Sequence, residues 1–70
     1  MKNSRKISRH HRRCRSNGGT DDNDNLSQVS SIQHKAFHIL FLNKNVYEIA
    51  EILNETWIDP RFNLVVVKKE

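Results

Sequence analysis

Four histidines, arranged as two close pairs, constrain this chain more than any other feature. They are the only histidines among its 70 residues: His10 and His11 are adjacent, and His34 and His38 are one helical turn apart. A domain this short buries only about 60% of the surface that its unfolded chain exposes, so packing alone stabilises it weakly. A single cysteine, Cys14, excludes an internal disulfide. We therefore expect a bound metal ion or oligomerisation to supplement the fold.

The residue pattern around these pairs predicts two short strands followed by a helix. The first strand is predicted over 7–13 and ends at a Gly-Gly turn, and the second is predicted over 26–29 after an acidic, amide-rich loop. Ser30 and Gln33 have the spacing of a capping box, which predicts a helix over 31–42. Apolar residues occupy most of the circumference of this helix, so we expect other elements to cover it.

A second helix and a strand are predicted in the C-terminal part of the chain. Asn45 and Glu48 again have the capping-box spacing, and a single apolar stripe predicts a helix over 45–57 that forms a hairpin with the first. The β-branched run within 62–68 predicts a short strand. That strand either extends the sheet or pairs with another copy of the chain in a homodimer, and the sequence leaves both open. The whole chain, 1–70, is predicted to be one α+β domain.

The spacing of the histidines predicts a metal site with a fourth imidazole beside it. His34 and His38 lie on one face of the predicted helix, with Cβ atoms about 5–6 Å apart. Adjacent residues of a strand point to opposite faces, so His10 can face the helix while His11 faces away. Three imidazoles leave coordination positions open, as catalytic metal sites do. His11 would keep a nitrogen free to accept a proton from water.

These residues also form a motif that resembles a known family. The order is His10-His11, Ser16-x-Gly18-Gly19, Asn25-Leu26 and His34-x-x-x-His38. It resembles the ββα-metal finger of HNH endonucleases, most closely the form found in colicin-type DNases. The resemblance covers roughly residues 9–40, and it implies a ββα-metal core over 7–42 with the helix over 45–57 and the strand over 62–68 as additions.

The resemblance implies a metal-dependent endonuclease that hydrolyses phosphodiester bonds. It implies that His10, His34 and His38 are the metal ligands and that His11 is the general base. Asn25, which falls at the central asparagine of the motif, is implied to act through the loop by holding the backbone of His11. One divalent metal ion is implied; three neutral nitrogens favour zinc, nickel or manganese over magnesium, which the cell could still supply.

The charge distribution favours a nucleic-acid partner, with DNA favoured over RNA by the resemblance. The formal net charge is +4, yet residues 1–20 contain no acid. Such a basic segment suits a polyanion, although an unfolded basic arm without a dedicated partner has the same composition. The candidate phosphate contacts are Arg5, Lys6, Arg9, Arg12, Arg13, Arg15 and Lys35. Contacts of this kind give affinity with little base specificity. The lone cysteine and the lack of a long apolar run lead us to expect a cytoplasmic protein with no membrane partner.

Two other readings of the motif remain open. Cys14 stands where many family members have proline, so it could join the histidines in a structural zinc site without catalysis. A non-catalytic module that binds nucleic acid or protein could also retain the metal finger for stability alone. Replacing His11 by alanine separates the two: an enzyme loses cleavage but keeps metal binding, whereas such a module has no cleavage to lose.

Overall fold

A computed structural model describes residues 6–69 and contains a two-stranded sheet followed by helices. The strands β1 (Ile7–His11) and β2 (Leu26–Ser30) pair antiparallel, with Ile7 opposite Ser30 and His11 opposite Leu26. They are joined by a long loop that contains two short 3₁₀ turns, and the helix α1 (Ser31–Phe41) begins directly after β2. The protein is thus a small α+β fold, as predicted. Residues 1–5 of the basic N-terminal segment, including the candidate phosphate contact Arg5, lie outside the described residues.

The turn after β1 requires both of its glycines, for different reasons. The carbonyl of Cys14 accepts hydrogen bonds from the amides of Asn17 and Gly19, which closes the turn. Gly18 has a φ of +88°, in the left-handed region that side chains disfavour. A Cβ on Gly19 would lie 1.7 Å from the carbonyl oxygen of Arg13, which is a backbone atom and cannot rotate away. The chain therefore passes close to itself at Gly19.

We expect Gly19→Ala to destabilise the fold far more than Gly18→Ala. The first substitution forces the backbone of the turn apart, at a cost of about 3 kcal/mol or more. The second places alanine at a positive φ, at a cost of about 1–2 kcal/mol. Urea unfolding followed by circular dichroism measures both. Equal losses for the two variants would show that positive φ, and not the close approach at Gly19, is the constraint.

Helix α1 begins at a complete capping box and contacts both strands. The Ser30 hydroxyl accepts from the Gln33 amide, and the Gln33 side chain accepts from the Ser30 amide. The prediction that other elements cover most of α1 is wrong, because Ile32 and Ile39 are 62% and 71% exposed. One face of the helix lies against the sheet, and no element within residues 6–69 covers Ile32 and Ile39 on the other.

The C-terminal part differs from its prediction in two ways. Helix α2 (Val46–Ile52) begins at the predicted Asn45 capping box and continues as a π-helical turn, Leu53–Trp57. Contacts between α2 and α1 are sparse, so the two helices do not form a closely packed hairpin. The segment predicted as a strand over 62–68 does not extend the sheet: within residues 6–69 it has no ladder partner, and its pairing with another copy stays a prediction. A β-branched run favours extended backbone, but a strand requires a neighbour to pair with.

No side chain in residues 6–69 is fully buried, so the fold lacks a conventional core. None of the helices in this range has the length and hydrophobicity that a membrane span requires.

Candidate metal centre

Three of the four histidines converge between β1 and α1. His10 lies on β1, and His34 and His38 lie one turn apart on α1. Each offers one ring nitrogen, and the three nitrogens all lie within 4.8 Å of one another. These side chains are therefore close enough to hold one metal ion. Within residues 6–69, no other set of three or more His, Cys, Asp or Glu side chains meets this condition, and Cys14 is not part of it.

The distance between the helix histidines fits shared coordination. Nε2 of His38 lies 3.0 Å from Nε2 of His34. Two nitrogens bound to one tetrahedral zinc at about 2.05 Å are roughly 3.3 Å apart, so only a small adjustment separates this pair from ligand geometry. A proton shared between the two rings gives the same distance, which means that the pair alone does not define a metal site.

His10 supplies a further observation that fits a cation. Its Nδ1 is buried and has no hydrogen-bond partner in the described part of the chain. A buried nitrogen without a partner is costly, and a metal ion or a hydrogen bond would remove that cost. Burial, followed by the charges of His34 and His38, lowers the pKa of His10. The neutral ring, which is the form that binds metals, is therefore favoured. The Phe37 ring packs edge to face against the His10 ring, with the ring centroids 4.5 Å apart.

The fourth histidine, His11, is oriented by a carboxylate in the loop. Its Nε2 lies 2.8 Å from Oδ1 of Asp21, while Oδ2 of Asp21 accepts from the Arg15 guanidinium at 2.7 Å. Hydrogen bonds from His11 and then Arg15 lower the pKa of Asp21, which keeps it ionised. In the neutral form of His11, the ionised carboxylate would accept the proton on Nε2, which leaves the lone pair on Nδ1. His11 thus retains one nitrogen able to accept a proton.

A cavity of about 160 Å³ connects His11 with the helix histidines. His11, His34 and His38 all line it, together with Cys14 and Arg15. A water molecule occupies about 30 Å³ in the liquid, so the cavity has room for water beside the three imidazoles. The fourth histidine therefore faces the same space as two of the three clustered ones.

Asn25 cross-links the loop as predicted, but at a different place. Its side chain accepts from the Arg13 amide and donates to the carbonyls of Arg13 and Thr20. The prediction that it holds the backbone of His11 therefore needs correction, because its bonds fall two residues further along. His11 itself is held by strand pairing with Leu26. Asn25 fixes the turn that carries Asp21, and it reaches His11 only through that turn.

The candidate phosphate contacts divide into two groups. Three arginines already bond within the loop: Arg12 to the Asp24 carbonyl, Arg13 to the Asn17 carbonyl and Arg15 to Asp21. Lys6, Arg9 and Lys35 form no ion pair with the residues the structure describes. Lys35 lines an open depression on α1 together with His34 and His38.

Sequence reasoning missed the roles of Asp21 and Phe37. Asp21 is one of three aspartates within 21–24, and nothing in the sequence distinguishes the one that reaches His11. Phe37 lies between the helix histidines in a strongly apolar helix, so its sequence position predicts packing and not contact with a histidine ring.

Comparison with protein-family models, with curated proteins and with solved structures finds no match for this chain.

Proposed function

We propose that this protein is a metal-dependent endonuclease of the HNH type. His10, His34 and His38 would hold one divalent ion, and His11 would activate the attacking water. The observation that carries the proposal is the convergence of three imidazole nitrogens from β1 and α1, with the fourth imidazole on an adjoining cavity. The order of strand, glycine turn, strand and helix supports a ββα-metal finger as the scaffold.

The chemistry follows from the positions of these groups. His10, His34 and His38 would hold a divalent ion, which would supply positive charge to stabilise the negative charge that develops during phosphodiester cleavage. His11 accepts a proton from water on its unprotonated nitrogen, and Asp21 stabilises the imidazolium that results. Asn25 keeps the turn closed so that Asp21 stays in place. Zinc and nickel, which prefer nitrogen ligands, fit three imidazoles best, and manganese and magnesium, which prefer oxygen ligands, fit them less well.

The proposed substrate is nucleic acid, with DNA ahead of RNA. Among the candidate phosphate contacts, Lys6, Arg9 and Lys35 form no ion pair with the residues that the structure describes, and their side chains are not bonded within the loop. They would bind phosphates without reading bases, so affinity should fall steeply with added salt. Arg12, Arg13 and Arg15 would contribute to the field near the site while bonded within the loop.

Cleavage assays with defined ions test the proposed function. Chelated protein is incubated with supercoiled plasmid, or with single-stranded DNA, and each divalent ion is added in turn. We expect nicking that requires an added ion and stops on renewed chelation, with nitrogen-preferring ions supporting it. Binding of DNA without cleavage in any ion would refute the enzyme and favour the non-catalytic module.

A further inference from the structure

The segment over 62–69 has no strand partner among residues 6–69. This segment contains no turn, bend or helix. Asn54 bonds both backbone groups of Leu64, donating to its carbonyl at 3.0 Å and accepting from its amide at 2.8 Å. In extended backbone, alternate residues direct their amides and carbonyls to opposite sides. The backbone groups of Val65 and Val67 therefore point away from Asn54, and within residues 6–69 they have no hydrogen-bond partner.

The side chains along this edge are apolar, as they are in strands that are covered by other elements. Val65 and Val67 are 73% and 79% exposed, and Phe62 is nearby at 67%. An exposed, apolar and unpaired edge is a template for pairing with another chain. The lysines Lys68 and Lys69 follow the valines but do not interrupt them.

The surface of the chain is larger than a compact monomer of its size requires. Its accessible surface is 6205 Å², whereas a folded protein of this mass exposes about 4,600 Å². Its radius of gyration is 13.8 Å against roughly 11 Å for a compact domain of this length. The excess surface is greater than the roughly 800 Å² that each partner contributes to a standard interface. A standard interface with a second copy would therefore cover about half of this excess.

We propose that two copies of the chain pair through residues 63–69 as antiparallel strands around a two-fold axis at Val66. Only residues of the free edge can exchange hydrogen bonds, so Val65 of one copy must face an odd-numbered residue of the other. Centring the pair on Val66 places Val65 opposite Val67 and Lys68 opposite Leu64. Centring it on Val65 would place Arg61 opposite Lys69, and like charges directly opposite one another destabilise a sheet. The charges therefore favour the Val66 register over the Val65 register.

Disulfide trapping tests whether a second copy of the chain pairs with this edge and whether it does so in the Val66 register. In a Cys14→Ser background, Val66→Cys places the two cysteines at the axis, where the Cα atoms of a non-hydrogen-bonded pair are about 4.5 Å apart. That distance suits a disulfide. Lys68→Cys is the matched control: it lies two residues from the axis in each copy, so its Cα atoms are about 14 Å apart. We expect rapid cross-linking of Val66→Cys and little of Lys68→Cys.

Sedimentation of the reduced, unsubstituted chain gives the second readout. We expect a species of twice the 8.3 kDa chain mass at micromolar concentration. A monomer at that concentration would overturn the proposal and leave the edge to a different partner. Equal cross-linking of the two cysteine variants would overturn the register. Circular dichroism of the reduced variants checks that both are folded. None of these measurements requires metal or substrate, so they stand apart from the proposed nuclease activity.

Discussion

His38→Ala is expected to remove the stabilisation that a divalent ion gives to this protein. An ion bound only by the folded state, at 100 times its Kd, raises the unfolding free energy by about 2.7 kcal/mol. For a chain of this length each kcal/mol raises Tm by roughly 4–8 °C, so the unsubstituted protein should gain roughly 10–20 °C. His38→Ala leaves two imidazoles, and we expect the affinity to fall by more than about 100-fold, beyond the effect of losing a supporting contact. The gain at the same ion concentration then drops to about 0.4 kcal/mol or less.

Thermal unfolding with and without zinc, after chelation, measures this effect. Lys35→Ala is the matched control because it removes a side chain from the same helix, beside the histidines but outside the ligand set. It should keep the full gain in Tm. If His38→Ala gained as much as the control, the three histidines would be a packed cluster rather than a metal site. The 3.0 Å contact between His34 and His38 would then be a shared proton.

The sequence predicted those features that depend on local chemistry. Both helix starts follow from side chains that bond free amides three residues away, and both capping boxes are formed. The strand positions of His10 and His11 follow from the two-residue repeat of extended backbone, and the convergence of His10 with the helix histidines follows from the short connection between β2 and α1. Local rules were sufficient there because the partners lie within one turn or one strand pair.

Features that depend on distant partners could not be predicted in the same way. The apolar faces of α1 suggested burial, yet Ile39 stays exposed because no element within residues 6–69 covers it. The valines of 62–68 suggested a strand, but no strand within the described residues pairs with them. The hydrogen-bond partner of His11 could not be predicted, because the path of an irregular loop decides which of the aspartates within 21–24 reaches it. Residue type indicates which conformation or burial a segment favours, but the arrangement of the other elements decides whether a packing or hydrogen-bond partner is present.

His11→Ala is expected to abolish most of the proposed cleavage while metal binding persists. General-base catalysis by a positioned side chain contributes about 10²–10⁴-fold, so kcat should fall by that amount. His11 is not among the three converging nitrogens, so the ion-dependent gain in Tm should remain. Asp21→Asn should give a smaller loss of kcat, roughly tenfold, because an amide orients the imidazole but does not balance its positive charge.

The variants His11→Ala and His38→Ala together distinguish proton transfer from metal binding. Both variants should lose cleavage of plasmid DNA, yet only His38→Ala should also lose the thermal gain from zinc. This dissociation separates a group that moves a proton from a group that holds the ion, since a histidine with a purely structural role would lower both readouts together. Arg15→Ala serves as the control for Asp21→Asn: it removes the other partner of the carboxylate but leaves the 2.8 Å contact with His11. Full cleavage by His11→Ala would mean that water is activated elsewhere, and His11 would then have no part in the reaction.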